Sequence, residues 1–194
     1  MTSITDLCER LADVYALQGV PVRENLRPGV TRETVLRTLA PHGLQVPDAL
    51  VDLYTWRNGH LRQGDDERHR YIWFRDDIFM PLEQILEAHE HIQLAYAVEE
   101  ALLEDVDLKA IIPISENNGA WDAIVCGRHS YGAHRVNPVI HIHQGVDVYY
   151  DSIETMLRTN IDWVASPHWD SSSALPTDVE QEIWRRHNPG LPIL

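Results

Sequence analysis

The order of hydrophobic periods along the chain predicts an α+β fold, an antiparallel-rich mixed sheet with helices packed on it. Apolar residues recur at helical spacing up to about residue 96. Strand-like runs replace them between 110 and 150, and a further helical pattern follows. The 194 residues suffice for one domain with its own core, needing neither disulfides nor a metal. Apolar residues make up 44% and charged residues 24%, an ordinary globular balance that argues against disorder.

The first helix is expected from about Thr5 to Leu17. Ser3 and Asp6 stand at capping-box spacing, and Ile4, Leu7, Leu11, Val14 and Leu17 share one face. Gly19-Val-Pro ends it. After a loop, Thr31 caps a short helix bearing Val35, Leu36 and Leu39, which Pro41 and Gly43 stop. Pro47 opens a third helix at its first turn, with Leu50, Leu53 and Tyr54 as its apolar stripe. Asn58-Gly59 closes it, since both residues tolerate a left-handed helix end. Residues 60–70 read as a charged loop and Tyr71 to Phe74 as a strand. Asp76-Asp77 marks a turn, and a long helix starts near Leu82 with Ile85, Leu86, Ile92 and Tyr96 on its buried face.

The next elements are strands. Ala110 to Ser115 contains Pro113, which implies an edge position or a bulge. Glu116 to Gly119 is a turn, and Trp121 to Cys126 is the following strand. Pro138 to His143 and Val146 to Tyr150 form a tight hairpin around Gln144-Gly145. Ser152 caps a helix with Ile153, Met156, Leu157, Ile161 and Trp163. Residues 1–165 are read as a single domain, with the helix of 1–19 packed on it. Residues 166–194 form a C-terminal extension with one short helix, for which Thr177 and Glu180 have capping-box spacing.

Thirty acidic against 16 basic residues give a net charge of −14. This disfavours nucleic acid and anionic membrane surfaces, and it favours a cationic protein partner. The N-terminus shows no signal-peptide pattern, and no apolar run approaches the roughly 20 residues that cross a bilayer. Cys8 and Cys126 are far apart, each in an apolar pattern, and read as buried thiols of a reducing compartment. The expected location is the cytoplasm.

Common catalytic signatures are missing: no nucleophile elbow, phosphate loop, dinucleotide fingerprint, zinc-protease helix or C-x-x-C occurs. His141 and His143 alternate on a strand and point to one face, with His129 and His134 in the preceding loop. Together they raise a zinc-hydrolase alternative, but no cysteine or carboxylate stands at ligand spacing in the sequence. No metal or cofactor is expected. His89 and His91 read as solvated. The candidate partner-binding residues are acidic: Glu99, Glu100, Glu104, Asp105 and Asp107, which lack interspersed lysines, and then Asp65, Asp66 and Glu67, which arginines surround. Against this stands a plain solvated face. Trp56, Trp73, Trp121 and Trp163 read as core anchors; Trp169 and Trp184 either pin the tail or make contacts.

Pro28-Gly-Val-Thr31 before a short helix, then Pro47-Asp-Ala-Leu50 through Leu53-Tyr54 to Asn58-Gly59, resembles the signature of the SUKH superfamily of fungal cell-wall-assembly-regulator-like domains. Phe79 to Leu86, Ile111 to Ser115, Gly119 to Cys126 and Val148 to Leu157 are similar to its later elements, in order. Ala110-Ile111 departs where an aromatic is usual. The resemblance spans roughly residues 25–165. It leaves out the stretch between Tyr96 and Lys109 and the tail. It implies an α+β fold without catalysis and no transferable site residues. The function it implies is that of an immunity protein neutralising a toxin, often a nuclease, or of a regulatory scaffold recruiting partner proteins.

Overall fold

A computed structural model describes residues 2–61, 77–96, 108–117, 119–126, 137–143, 145–170 and 176–191. The fold is α+β. Helix α1 (Ile4–Leu17) leads to strand β1 (Leu26–Pro28), helix α2 (Arg32–Leu39), helix α3 (Asp48–Trp56) and strand β2 (Arg57–His60). Then come β3 (Ile78–Phe79), α4 (Ile85–Tyr96), β4 (Ile111–Asn117), β5 (Ala120–Val125), β6 (Val139–His143), β7 (Gly145–Tyr150), α5 (Ile153–Val164) and α6 (Thr177–His187). β1 and β2 make a two-stranded sheet. A five-stranded sheet has the order β3-β4-β5-β6-β7. Every described pairing is antiparallel. Among the described residues no helix is long and apolar enough to cross a membrane.

Local signals account for the long helices. In α1 the Ser3 hydroxyl accepts from the Asp6 N–H at 3.1 Å while Asp6 accepts from the Ser3 N–H, a reciprocal capping box. Ser152 and Thr155 repeat the device at the start of α5. The buried stripe of α1 (Leu7, Leu11, Tyr15) packs on α5 and α3, and α5 in turn carries α6. These side chains join Leu50, Leu53 and Tyr54 of α3 and the isoleucines of β4, β5 and β6 in one core. Each fully buried leucine contributes roughly 2 kcal/mol by leaving water. β4 is an inner strand, so Pro113 marks a bulge, seen as a register shift between Pro113 and Ser115.

The C-terminal segment is anchored. Trp184 is buried, and its indole N–H donates to the Tyr149 carbonyl at 2.7 Å. Asn188 accepts from the Asp151 N–H and donates to Thr159 Oγ1. The Trp169 ring meets Tyr15 edge-on at 5.9 Å. Both tryptophans pin the tail. The expected Thr177–Glu180 capping box is absent. Pro176 is the N-cap and offers no side-chain acceptor, so Thr177 is already inside the helix.

Asn58-Gly59 does not close α3. The helix ends at Trp56, and its chain continues directly as β2, with Pro47 as N-cap just outside the first turn. Asn58 is buried, and its side-chain oxygen accepts from the Leu82 N–H at 2.8 Å. Gly59 has φ +73°, and a Cβ there would lie 2.3 Å from the Pro81 nitrogen. The next residue, His60, is also buried. Its Nδ1 accepts from the Phe79 N–H at 2.9 Å, which places the ring proton on Nε2. Tyr54 completes the junction: its hydroxyl donates to the Met80 carbonyl at 2.9 Å, its ring meets Phe79 at 5.1 Å, and burial pushes its pKa up.

Two predictions follow from this junction. Gly59→Ala meets both forbidden φ and backbone atoms, so urea titration should show a loss of roughly 3 kcal/mol or more. Gly19→Ala, at φ +81° but with open space around the added methyl, should lose only about 1 kcal/mol. The second concerns pH. Burial holds the His60 pKa below the ordinary 6.5, against a weaker upward pull from the Phe79 carbonyl. The unfolded chain therefore binds the extra proton first. The stability from neutral His60 is complete above about pH 6.5 and is lost as pH falls toward the lower folded value. Stability measured between about pH 7.5 and 5.5 should fall more steeply in the wild type than in His60→Gln, whose amide oxygen can accept the same N–H without titrating.

Candidate functional site

The acidic residues singled out in the sequence (Glu99, Glu100, Glu104, Asp105, Asp107, Asp65, Asp66 and Glu67) lie outside the described residues. So do His129, His134, Trp73 and the strand expected over 71–74. The described acidic surface nearest to them in sequence is the outer face of α4. At 100° per residue, Ile85, His89 and Ile92 point inward, while Glu87, Glu90 and Leu94 fall in one outward stripe, with exposed Glu83 in the 3-10 turn just before the helix. No lysine or arginine occurs from 82 to 96. Glu83 ion-pairs with Arg27 and accepts from the Asn58 amide. Burial pushes its carboxyl up, but these donors outweigh that and hold it below the usual range. Glu87 and Glu90 are exposed and pair with no cation among the described residues. The side chain of Leu94, 78% exposed, ends the stripe.

Of the two α4 histidines, only His89 departs from the solvated reading. His89 is buried, with Nε2 2.9 Å from the Gln93 amide nitrogen. His91 is exposed, but its ring lies 5.6 Å from that of half-buried Trp121 on β5.

Elsewhere, four further described arginines are engaged by acids of the same chain. Arg23 bridges Glu9 and Asp13, Arg32 meets Asp48, Arg158 meets Glu154, and Arg186 reaches Asp162 and Glu182. Exposed pairs of this kind add little stability. They do, however, spend positive charge internally. Glu9 is the most elaborately held acid: Arg23 and the Trp56 indole N–H, at 2.6 Å, keep its carboxyl below the usual range. This ties α1 to α3. The thiols are buried: desolvation pushes Cys126 up to about 12 and Cys8 well above the ordinary thiol range, leaving neither as a thiolate near neutral pH.

The sheet carries a second polar group of residues. Cross-strand partners share a face, which puts Ser115, Asp122 and His141 in one row across β4, β5 and β6. Buried Asp122 accepts from His141 Nδ1 at 2.9 Å, and the His141 ring stacks flat on Tyr149 at 4.5 Å. His143 is on the same face, 6.4 Å from His141 between ring centres, as strand alternation required. Sequence spacing shows no carboxylate for this pair because Asp122 arrives from a neighbouring strand, nineteen residues away in sequence. An Asp–His pair can orient a base, but the Ser115 hydroxyl donates to Asp77 at 3.0 Å rather than to His141. Among the described residues no three His, Cys, Asp or Glu side chains are grouped so as to hold a metal. Removing the buried acceptor should matter for stability: Asp122→Ala is expected to cost about 1–3 kcal/mol in thermal or urea unfolding. Asp147→Ala, at the exposed strand position opposite His141, should stay within about 0.5 kcal/mol of wild type.

Compared with known proteins, the chain matches no family model and no curated sequence.

Proposed function

We propose that the chain is a non-enzymatic protein-binding domain of the immunity type, which binds and neutralises a cationic toxin. The observation that carries the reading is an unbalanced anionic surface. Net charge is −14, and the arginines named above are already paired within the chain, while Glu87 and Glu90 of α4 have no cationic partner among the described residues. Such a surface attracts and orients a cationic protein at long range and repels polyanions. The resemblance to SUKH domains supports the reading from another direction. The Pro47-to-Gly59 segment that carries it forms a structural junction, with Asn58 and Gly59 serving packing rather than chemistry. The anchored tail, with Trp184 buried on Tyr149, favours this reading over a scaffold that recruits partners through a free C-terminal arm.

The test is co-expression with the product of the neighbouring reading frame, scored for growth rescue and for a complex on affinity capture at low and high salt. A single partner retained at about 0.05 M salt and weakened at about 0.5 M, with rescue of growth, is the expected outcome. Absence of both rescue and capture at every salt concentration would remove the reading.

A further inference from the structure

The protein-binding reading leaves open where the partner sits. We propose that the outward face of α4 is the docking surface. Its occupant is a cationic protein segment with two basic side chains about one helical turn apart and an apolar side chain one turn beyond.

The inference rests on what this face leaves unmatched. Glu87 and Glu90 are neighbours on one stripe, and like charges at this spacing cost a few tenths of a kcal/mol, with no cation on the helix to offset them. One turn further on stands Leu94, 78% exposed, one of only three large apolar side chains exposed among the described residues. His91 lies one turn before Leu94 on the adjoining row, and its ring leans on half-buried Trp121. The face thus has an aromatic and apolar end beside an acidic end, the mixture of anchor and charged rim that protein interfaces use. From Glu87 to Leu94 the helix advances roughly 10 Å, which sets the length of the recognised segment.

Charge selects the occupant. A second copy would bring the same acidic stripe against itself across a two-fold axis, and nucleic acid or an anionic membrane would meet repulsion. A basic segment gains ion pairs with Glu87 and Glu90 and covers Leu94 in the same register.

The probe is a synthetic helical peptide of about 16 residues, with two arginines four positions apart and a leucine four further on. Control peptides carry glutamates for the arginines or alanine for the leucine. Fluorescence anisotropy at low salt reads binding, and circular dichroism checks the fold of each protein variant. The double variant Glu87→Arg/Glu90→Arg should weaken binding at least about tenfold, and Leu94→Ser should weaken it for the leucine peptide but not for the alanine one. Asp147→Arg/Asp178→Arg changes net charge equally at exposed acids on β7 and α6, a remote control, and should alter affinity less than about threefold. The proposal is overturned if the remote variant weakens binding as much as the α4 variant, if the α4 variant binds like wild type, if wild type does not bind the peptide, or if it forms a dimer through Leu94. Failure here is separable from failure of the binding function. A partner still captured on co-expression with the Glu87→Arg/Glu90→Arg variant would move the docking face elsewhere and leave the function standing.

Discussion

The close approach of two backbone segments at Gly59 is the constraint on which the rest of the architecture depends. The Met80–Pro81 peptide lies where a side chain would be, and φ is positive there. On either side of that contact, polar groups bridge the two segments: Asn58 to the Leu82 N–H, His60 to the Phe79 N–H, Tyr54 to the Met80 carbonyl. The same stretch pairs with β1, Leu26 opposite His60, and the Leu61 N–H donates to the Asn25 carbonyl just before that strand. It also presses on Gly29, where a Cβ would fall 1.8 Å from the Thr55 carbonyl oxygen. The helical layer, the small sheet and the edge of the large sheet therefore meet in one run of chain from Tyr54 to Leu61. Buried backbone groups must find partners, and here the side chains of Asn58, His60 and Tyr54 supply them.

How much of this was legible in the sequence depends on how local each signal is. α1 and α5 were readable because cap, periodicity and stop signal lie within one stretch of chain. Strands β4 to β7 were readable from alternation and turn residues, and Pro113 correctly signalled an irregularity that the register shift locates, whereas β1, β2 and the two-residue β3 are too short to show a period. Asn58-Gly59 was misread because that dipeptide suits a helix end as well as it suits a tight backbone contact. Only chain some twenty residues onward, at Met80 to Leu82, decides between them. The same limit hid Asp122 from His141 and the buried setting of His89 from its sequence neighbours. The expected cap at Thr177 failed for a local reason: proline occupied the position that a hydroxyl would have needed.

Electrostatics divides the acids into two populations. Glu9, Asp122 and Glu83 serve the fold. Each is held by donors from distant chain, and so ties together segments far apart in sequence. The bond from Trp56 to Glu9 carries an indole that would be costly to bury unpaired. Glu87 and Glu90 have no such role. They face solvent from a helix whose inner face already supplies its packing, and neutral residues would serve the helix slightly better.

These two populations make scaffold and recognition separable. The junction residues that carry the family resemblance are occupied with backbone contacts, so they specify a shape and are neutral about a partner. The outer face of α4 is under no comparable geometric demand: among the described residues Glu87 and Glu90 make no fold-fixing contact, whereas Glu83 just before the helix pairs with Arg27 and His91 leans on Trp121. A domain built this way can change partners by rewriting one helix face while leaving Tyr54 to Leu61 untouched. Its specificity would then lie in charge order and apolar position along α4, a pattern that a resemblance carried by the junction does not transmit.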